Sequence, residues 1–325
     1  MNAKTMDSAV QAFHVRPATM WKMREKRSFD AHDVFEGANP PEGAIIDFWA
    51  KTKPDPKDVK IAILDAAGKQ IAALKPAGIE AGVNRVVWDM RFDRPVPATP
   101  QEIEAAERSV AQGGPRQNLG GPIVDPGEYT VEISIGANKS SQKFTVEEDP
   151  RITWFSAADR AKRRAAINGL VEMTRQADAL RKKFTASDAS LTALENAWKR
   201  PDANKVPDNV KTMAASLRKS MDDMRPAFAG RGFGGEQQMS AEERKEMLSR
   251  PEPAFVLQPI VNRVTQLINQ IESFSAAPSR TQLEQIAIVK QAIAGAGQKI
   301  DELRQQVVKF NDAMNAAKVP FVPVP

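Results

Sequence analysis

A multidomain protein of α and β parts, an antiparallel β-sandwich followed by an antiparallel helical bundle with coiled-coil-like packing, is the fold class this sequence predicts. Three observations predict it. Apolar residues alternate with a period of two across most of residues 59–146. After Asp149-Pro150-Arg151 the period changes to between three and four, and no strand signal returns. The last helical stretch repeats apolar residues at every seventh position. The expected division is a linker over 1–36, a sandwich over 37–150 with an insertion at 93–122, and helices over 151–325.

In the linker, Val15 to Trp21 reads as an edge strand, because Pro17 cannot donate to a ladder and the apolar residues that follow are sparse. The turn formers of Gly37-Ala38-Asn39-Pro40-Pro41-Glu42-Gly43 mark the entry to the sandwich. Ala44-Ile45-Ile46-Asp47-Phe48-Trp49-Ala50 is apolar on both faces except at Asp47, the pattern of a strand buried between layers. Two strands, over 59–64 and 70–74, flank Asp65-Ala66-Ala67-Gly68-Lys69, whose glycine supplies the positive φ of a hairpin bulge. A strand over 84–91 puts Val86, Trp88 and Met90 on one face and Arg85, Asp89 and Arg91 on the other. In the insertion, Thr99-Pro100-Gln101-Glu102 starts a helix that ends near Gln112. Pro126-Gly127 turns the chain into Tyr129, Val131, Ile133 and Ile135, and a hairpin at Gly136-Ala137-Asn138 returns it to Phe144 and Val146.

The helices follow from apolar stripes and caps. The first, over 156–184, is striped by Ile167, Leu170, Thr174, Ala177, Leu180 and Phe184. Shorter ones are expected over 188–199 and 208–224, then a flexible loop at Ala229 to Gly235 and a brief helix capped by Ser240. The helix over 255–274 buries Leu257, Ile260, Val261, Val264, Leu267, Ile268 and Ile271. Ser279-Arg280-Thr281-Gln282 caps the last, which reaches about Ala316. There Ile286, Ile293, Ile300, Val307 and Met314 alternate with Val289, Ala296, Leu303 and Phe310 as an a/d seam, which demands partner helices. The 255–274 and 156–184 helices are the expected partners, packed antiparallel. Ala292, Ala294, Gly295 and Gly297 leave room for a close approach mid-seam. The proline-rich tail from Val319 to Pro325 is extended.

With 325 residues, 42% hydrophobic and 27% charged, the chain has the composition of a soluble globular protein. No run approaches the roughly 20 apolar residues of a membrane-spanning helix, and residues 1–20 lack the apolar core of a signal peptide. Zero cysteines exclude disulfides and thiolate metal sites. The net charge of +5 is uneven, with 19 Lys and Arg against 22 Asp and Glu in 1–150, and 27 against 19 in 151–325. Spread over many helical turns, the second excess reads as a solvated face, which disfavours nucleic acid as a partner.

A search for chemistry assigns no catalytic, cofactor-binding or metal-ligating residue. His14 and His32 are the only imidazoles, and Asp30-Ala31-His32-Asp33 reads as solvated linker. Asp47, Asp65, Asp89, Asp93 and Asp125 fall on strands or turns, where turn chemistry is preferred to a calcium site or a glycosidase carboxylate pair. Ala294-Gly295-Ala296-Gly297 lacks the lysine and preceding strand of a phosphate loop, and Gly230-Arg231-Gly232-Phe233-Gly234-Gly235 reads as a mobile connector. Trp88 and Tyr129 alternate onto the inward face, which argues for core over a sugar-stacking platform. Asn138-Lys139-Ser140 matches a glycosylation acceptor, which matters only in a eukaryotic secretory setting.

Residues 59–69, then Asn84-Arg85-Val86-Val87-Trp88-Asp89 and Pro126-Gly127-Glu128-Tyr129-Thr130-Val131, are similar to the immunoglobulin-like module of the flagellar hook-capping type. The order of Gly37 to Ala44, this module, Asp149-Pro150-Arg151 and a helical hairpin resembles the C-terminal region of sortilin-like, BNR-repeat propeller proteins. Those are often labelled glycosyl hydrolases or sialidase-like, and are generally exported. The resemblance covers about residues 14–325 and implies a periplasmic or extracellular setting, with Val15 to Trp21 as the last strand leaving a propeller. The propeller's Ser-x-Asp-x-Gly-x-Thr-Trp boxes are absent, so no catalytic residue carries over. The expected function is that of a non-catalytic accessory region that packs on a propeller domain, in cis or in trans, or binds another protein or a glycan. The alternative is a free-standing adaptor whose basic helical bundle binds an acidic partner or nucleic acid.

Overall fold

In the computed structural model of the chain, which describes residues 3–21, 42–76, 78–98, 100–111, 120–199, 206–228 and 259–318, α and β parts separate. The chain divides into two compact units, Met1–Arg160 and Ala161–Pro325.

Among the described residues the first unit holds eight strands: β1 Val10–Ala12, β2 Ala18–Met20, β3 Ala44–Ala50, β4 Val59–Leu64, β5 Gln70–Leu74, β6 Gly82–Trp88, β7 Gly127–Ile135 and β8 Asn138–Glu148. Two helices, α1 Ala3–Asp7 and α2 Pro100–Ala111, accompany them. The strands form a three-stranded sheet in the order β1-β3-β6 and a five-stranded sheet in the order β2-β8-β7-β4-β5. Every pairing is antiparallel except that of β2 beside β8. Alternation sends Ile46 and Phe48 of β3, Trp88 of β6, Ile61 and Ile63 of β4, and Val131 and Ile133 of β7 into one shared apolar core. Turn chemistry closes the hairpins as expected: Gly68 adopts φ 79° where β4 shifts register against β5, and Gly136 adopts φ 57° between β7 and β8.

Three expectations are corrected here. Residues 10–20 are not a linker but parts of both sheets, with Val10, Ala12, Val15, Ala18 and Met20 all buried; the edge strand expected over Val15 to Trp21 is present as β2, at the edge of the five-stranded sheet. Pro17 lies between β1 and β2, where no ladder donor is required of it. The sixth strand stops at Trp88 rather than Arg91, because Met90 takes φ 57°, which ends extended pairing. The boundary of the first unit falls at Arg160 rather than 150, since Arg160 pairs with Glu148 and its guanidinium lies over the Phe155 ring.

The second unit is helical, built from α3 Ala157–Trp198, which begins just before it, α4 Asp208–Phe228, α5 Ile260–Glu272 and α6 Arg280–Ala316. Helix α3 is continuous where two helices were expected over 156–184 and 188–199. At 185–187 the Ser187 hydroxyl donates back to the Lys183 carbonyl within the helix, and Arg218 and Arg225 bind the Asp188 side chain there. The Ser279 cap of α6 forms a full capping box with Gln282. The heptad seam is buried, from Val289 and Ile293 through Ala296, Ile300, Leu303, Val307 and Phe310 to Met314, with Ile286 partly covered.

Its partners differ in part from the expectation. With 37 residues, α6 is about 55 Å long, against about 20 Å for the 13 residues of α5. Helix α5 therefore covers only one end of the seam, and α4 packs along the rest. Arg163 donates to the Phe274 carbonyl near the start of α3, and Trp198 meets Phe310 at 6.4 Å near its end, so α3 and α6 run in the same direction. Helix α4 runs against α3, placing Phe228 on Phe184 and Arg218 on Asp188 and Glu195. No close approach occurs at Gly295 or Gly297, beside which a methyl group would meet nothing within 4 Å. The expected flexible loop at 229–235, the helix capped by Ser240 and the extended tail lie outside the described residues.

Candidate interaction surface

The apolar residues of β3 fall on both faces of its strand. Ala44, Ile46, Phe48 and Ala50 are at most 1% exposed on the inner face, whereas Ile45, Asp47 and Trp49 on the outer face are half-buried. This corrects the reading of β3 as a strand covered on both sides. On β6, Val83, Arg85 and Val87 point the same way and are exposed, Val83 at 57%. The antiparallel register sets Trp49 beside Val83, Asp47 beside Arg85 and Ile45 beside Val87. The outer face is thus an apolar surface divided by one ion pair.

That pair is bidentate. Arg85 Nε donates to Asp47 Oδ1 at 2.7 Å, and Nη2 donates to Oδ2 at 2.9 Å. The hydrogen bond from Arg85 holds the Asp47 carboxyl below the usual carboxylate range, against a smaller opposing effect of burial. Arg85 is raised in turn by the same hydrogen bond. A carboxylate held this way stays ionised and engaged, which suits it to fixing the face rather than to moving protons. The Trp49 indole N–H is buried without an acceptor among the described residues.

Other residues singled out in the sequence are not brought together. His14 is exposed between β1 and β2, and His32, Asp30 and Asp33 lie outside the described residues. Asp65 accepts from the backbone N–H groups of Ala67 and Lys69 in its own turn. Asp93 accepts from the Ala73 N–H, and its own N–H donates to Ile71, so it serves the edge of β5. Asp89 is exposed beyond the end of β6, and Asp125 precedes β7. Among the described residues no three His, Cys, Asp or Glu side chains are grouped to hold a metal.

Trp88 is fully buried, donates from Nε1 to the Arg91 carbonyl at 2.9 Å, and meets Tyr129 and Phe144 edge-on. It belongs to the core and offers no sugar platform. Ser140 of the glycosylation-like triplet accepts from the Ala12 N–H, so its hydroxyl serves the join of β1 to β8. Trp49 was not singled out in the sequence, although alternation against Phe48 was enough to place it outward. No family model and no curated protein matches this chain. No described helix is long and apolar enough to cross a membrane.

Proposed function

We propose that this chain is a non-catalytic accessory region, an immunoglobulin-like β-sandwich joined to a helical bundle, that packs on a β-propeller domain or another partner protein. The setting is that of the exported, sortilin-like proteins it resembles, periplasmic or extracellular. The observation that carries the reading is the outer face of the β1-β3-β6 sheet, where Ile45, Trp49, Val83 and Val87 form an apolar surface around a fixed ion pair. The immunoglobulin-like assignment has its own support. The Tyr129 hydroxyl, near the start of β7, donates to the Asp125 carbonyl at 2.6 Å, which is the geometry of a tyrosine corner. A glycan is the less supported ligand, since the buried Trp88 and Tyr129 cannot stack on a sugar. An adaptor binding acidic partners through its basic helices is also weaker, because Arg181, Arg218 and Arg225 are already bound to carboxylates of their own unit.

The test is co-purification of the tagged chain with propeller proteins of the same organism, followed by gel filtration. Co-elution is expected, and the double variant Val83→Asp, Val87→Asp should abolish it while leaving tryptophan fluorescence and circular dichroism unchanged. Co-elution that survives the double variant removes the role of this face. Turnover of aryl-glycosides by the purified chain overturns the non-catalytic reading.

A further inference from the structure

The two sheets have four edges among the described residues, and three are short or covered. Strands β1 and β2 have 3 residues each, and β1 also receives Ser140 at the Ala12 N–H. Strand β5 is capped by Asp93, which bonds both the Ile71 carbonyl and the Ala73 N–H. Strand β6 differs, with 7 residues, no proline and no register shift against β3. Natural edges of this kind are protected by charges that repel a second strand. Arg85, the one charge on β6, does not act so, because the bidentate bond to Asp47 neutralises it.

From this edge we infer that β6 takes up an extended peptide segment of a partner protein by strand addition, and that the segment carries a carboxylate opposite Arg85 with apolar residues two positions to either side. The inference rests on the reading of this sheet as an interaction surface and specifies how it binds. A row of edge N–H and C=O groups is complementary to another extended backbone. Side chains of an added strand that share the outer face stand beside Val83, Arg85 and Val87. The first and last of these favour apolar neighbours. The guanidinium has five N–H donors in a fixed fork; Asp47 takes the Nε and Nη2 positions, and Nη1 has no partner among the described residues. A second carboxylate completes the fork. A second copy of this chain fits this edge less well, since antiparallel pairing of two β6 strands centred on residue 85 sets Arg85 opposite Arg85 and supplies no carboxylate for either Nη1.

The experiment measures fluorescence anisotropy of the full chain with labelled Ser-Val-Thr-Glu-Thr-Val-Ser, with the same peptide carrying lysine for glutamate, and with a form N-methylated at both valines, whose N–H groups face β6 when glutamate stands opposite Arg85. The glutamate peptide is expected to bind roughly tenfold or more tightly than the lysine peptide, with N-methylation removing binding. Val87→Lys and Arg85→Ser should weaken it, whereas Leu74→Lys on the opposite sheet should not. Equal binding of the N-methylated and unmodified peptides, or no preference for glutamate, overturns the inference. Concentration-dependent dimerisation of the chain, abolished by Val87→Lys, also overturns it in favour of a second copy. These outcomes are separable from the broader proposal: a propeller complex lost in Val83→Asp, Val87→Asp but blind to the peptides keeps the face as an interface and rejects strand addition.

Discussion

Trp88 carries more of the first unit than any other single side chain. It is the largest fully buried residue, its ring touches two aromatic neighbours, and its indole nitrogen spends its donor on the Arg91 carbonyl beside the turn at Met90. The backbone around it is equally constrained. Gly43 has φ 129°, and a methyl group there would lie 2.2 Å from the Trp88 carbonyl oxygen, so a side chain at 43 would force β3 and β6 apart. Replacing Trp88 by alanine opens a cavity and removes its hydrogen bond to the Arg91 carbonyl, at an expected cost of about 3–5 kcal/mol. Urea denaturation followed by the β signal in circular dichroism checks this. A loss below about 1 kcal/mol would show a side chain with surface-like energetics.

At the scale of elements, α3 and α4 are joined by an ion network as well as by apolar packing. Asp188 accepts from Arg218 at 2.5 Å and from Arg225 at 2.9 Å, and Arg218 also reaches Glu195 at 2.8 Å. Arg225 lies over the Phe184 ring, which ties the network to the core. The hydrogen bond from Arg225 holds the Asp188 carboxyl below its ordinary range, with burial opposing and the charges of Arg225 and Arg218 adding to it. At Asp178 burial pushes the carboxyl up, but the hydrogen bonds and charges of Lys182 and Arg181 outweigh it and the net shift is downward. A depressed folded-state pKa contributes stability that is present above the unfolded value of about 3.9 and is lost as pH falls through the lower folded value. Asp188→Asn should therefore cost about 2–3 kcal/mol at neutral pH. Its deficit against the wild type should shrink as pH drops below about 4. Urea midpoints of the helical signal measured across that range decide it, and a deficit that ignores pH excludes the carboxylate charge as its source.

At the scale of the whole molecule, the described residues form two apolar cores, one in each unit. Ile300 sits mid-seam in α6 at 2% exposure, so Ile300→Asp places a charge inside an apolar cluster. The expected outcome is loss of the helical signal with the β signal retained, because separate cores unfold separately. Simultaneous loss of both would show that the units fold as one. Helicity that falls on dilution of the wild type would instead assign the seam to an interface between chains, against the burial of the seam within this one.

Local pattern alone determined most of the elements. Period-two alternation placed β4, β5 and β7, Gly68 and Gly136 placed their turns, and the heptads of α6 marked its buried seam before any partner was known. These features depend on residues near in sequence, so they are legible there. Tertiary structure decided what depends on distant chain. Val10–Ala12 is too short to signal as a strand by period, and becomes one only because β3 is there to pair with it. The expected break near Asp188 vanished because Arg218 and Arg225, some 30 and 37 residues away, bind its side chain in the middle of a helix. The outer face of the β1-β3-β6 sheet was legible by halves. Alternation put Trp49 outward and Arg85 opposite the inner face, but the register that joins Asp47 to Arg85 and leaves β6 last in its sheet among the described strands belongs to the sheet, because pairing is chosen by the core that both strands bury.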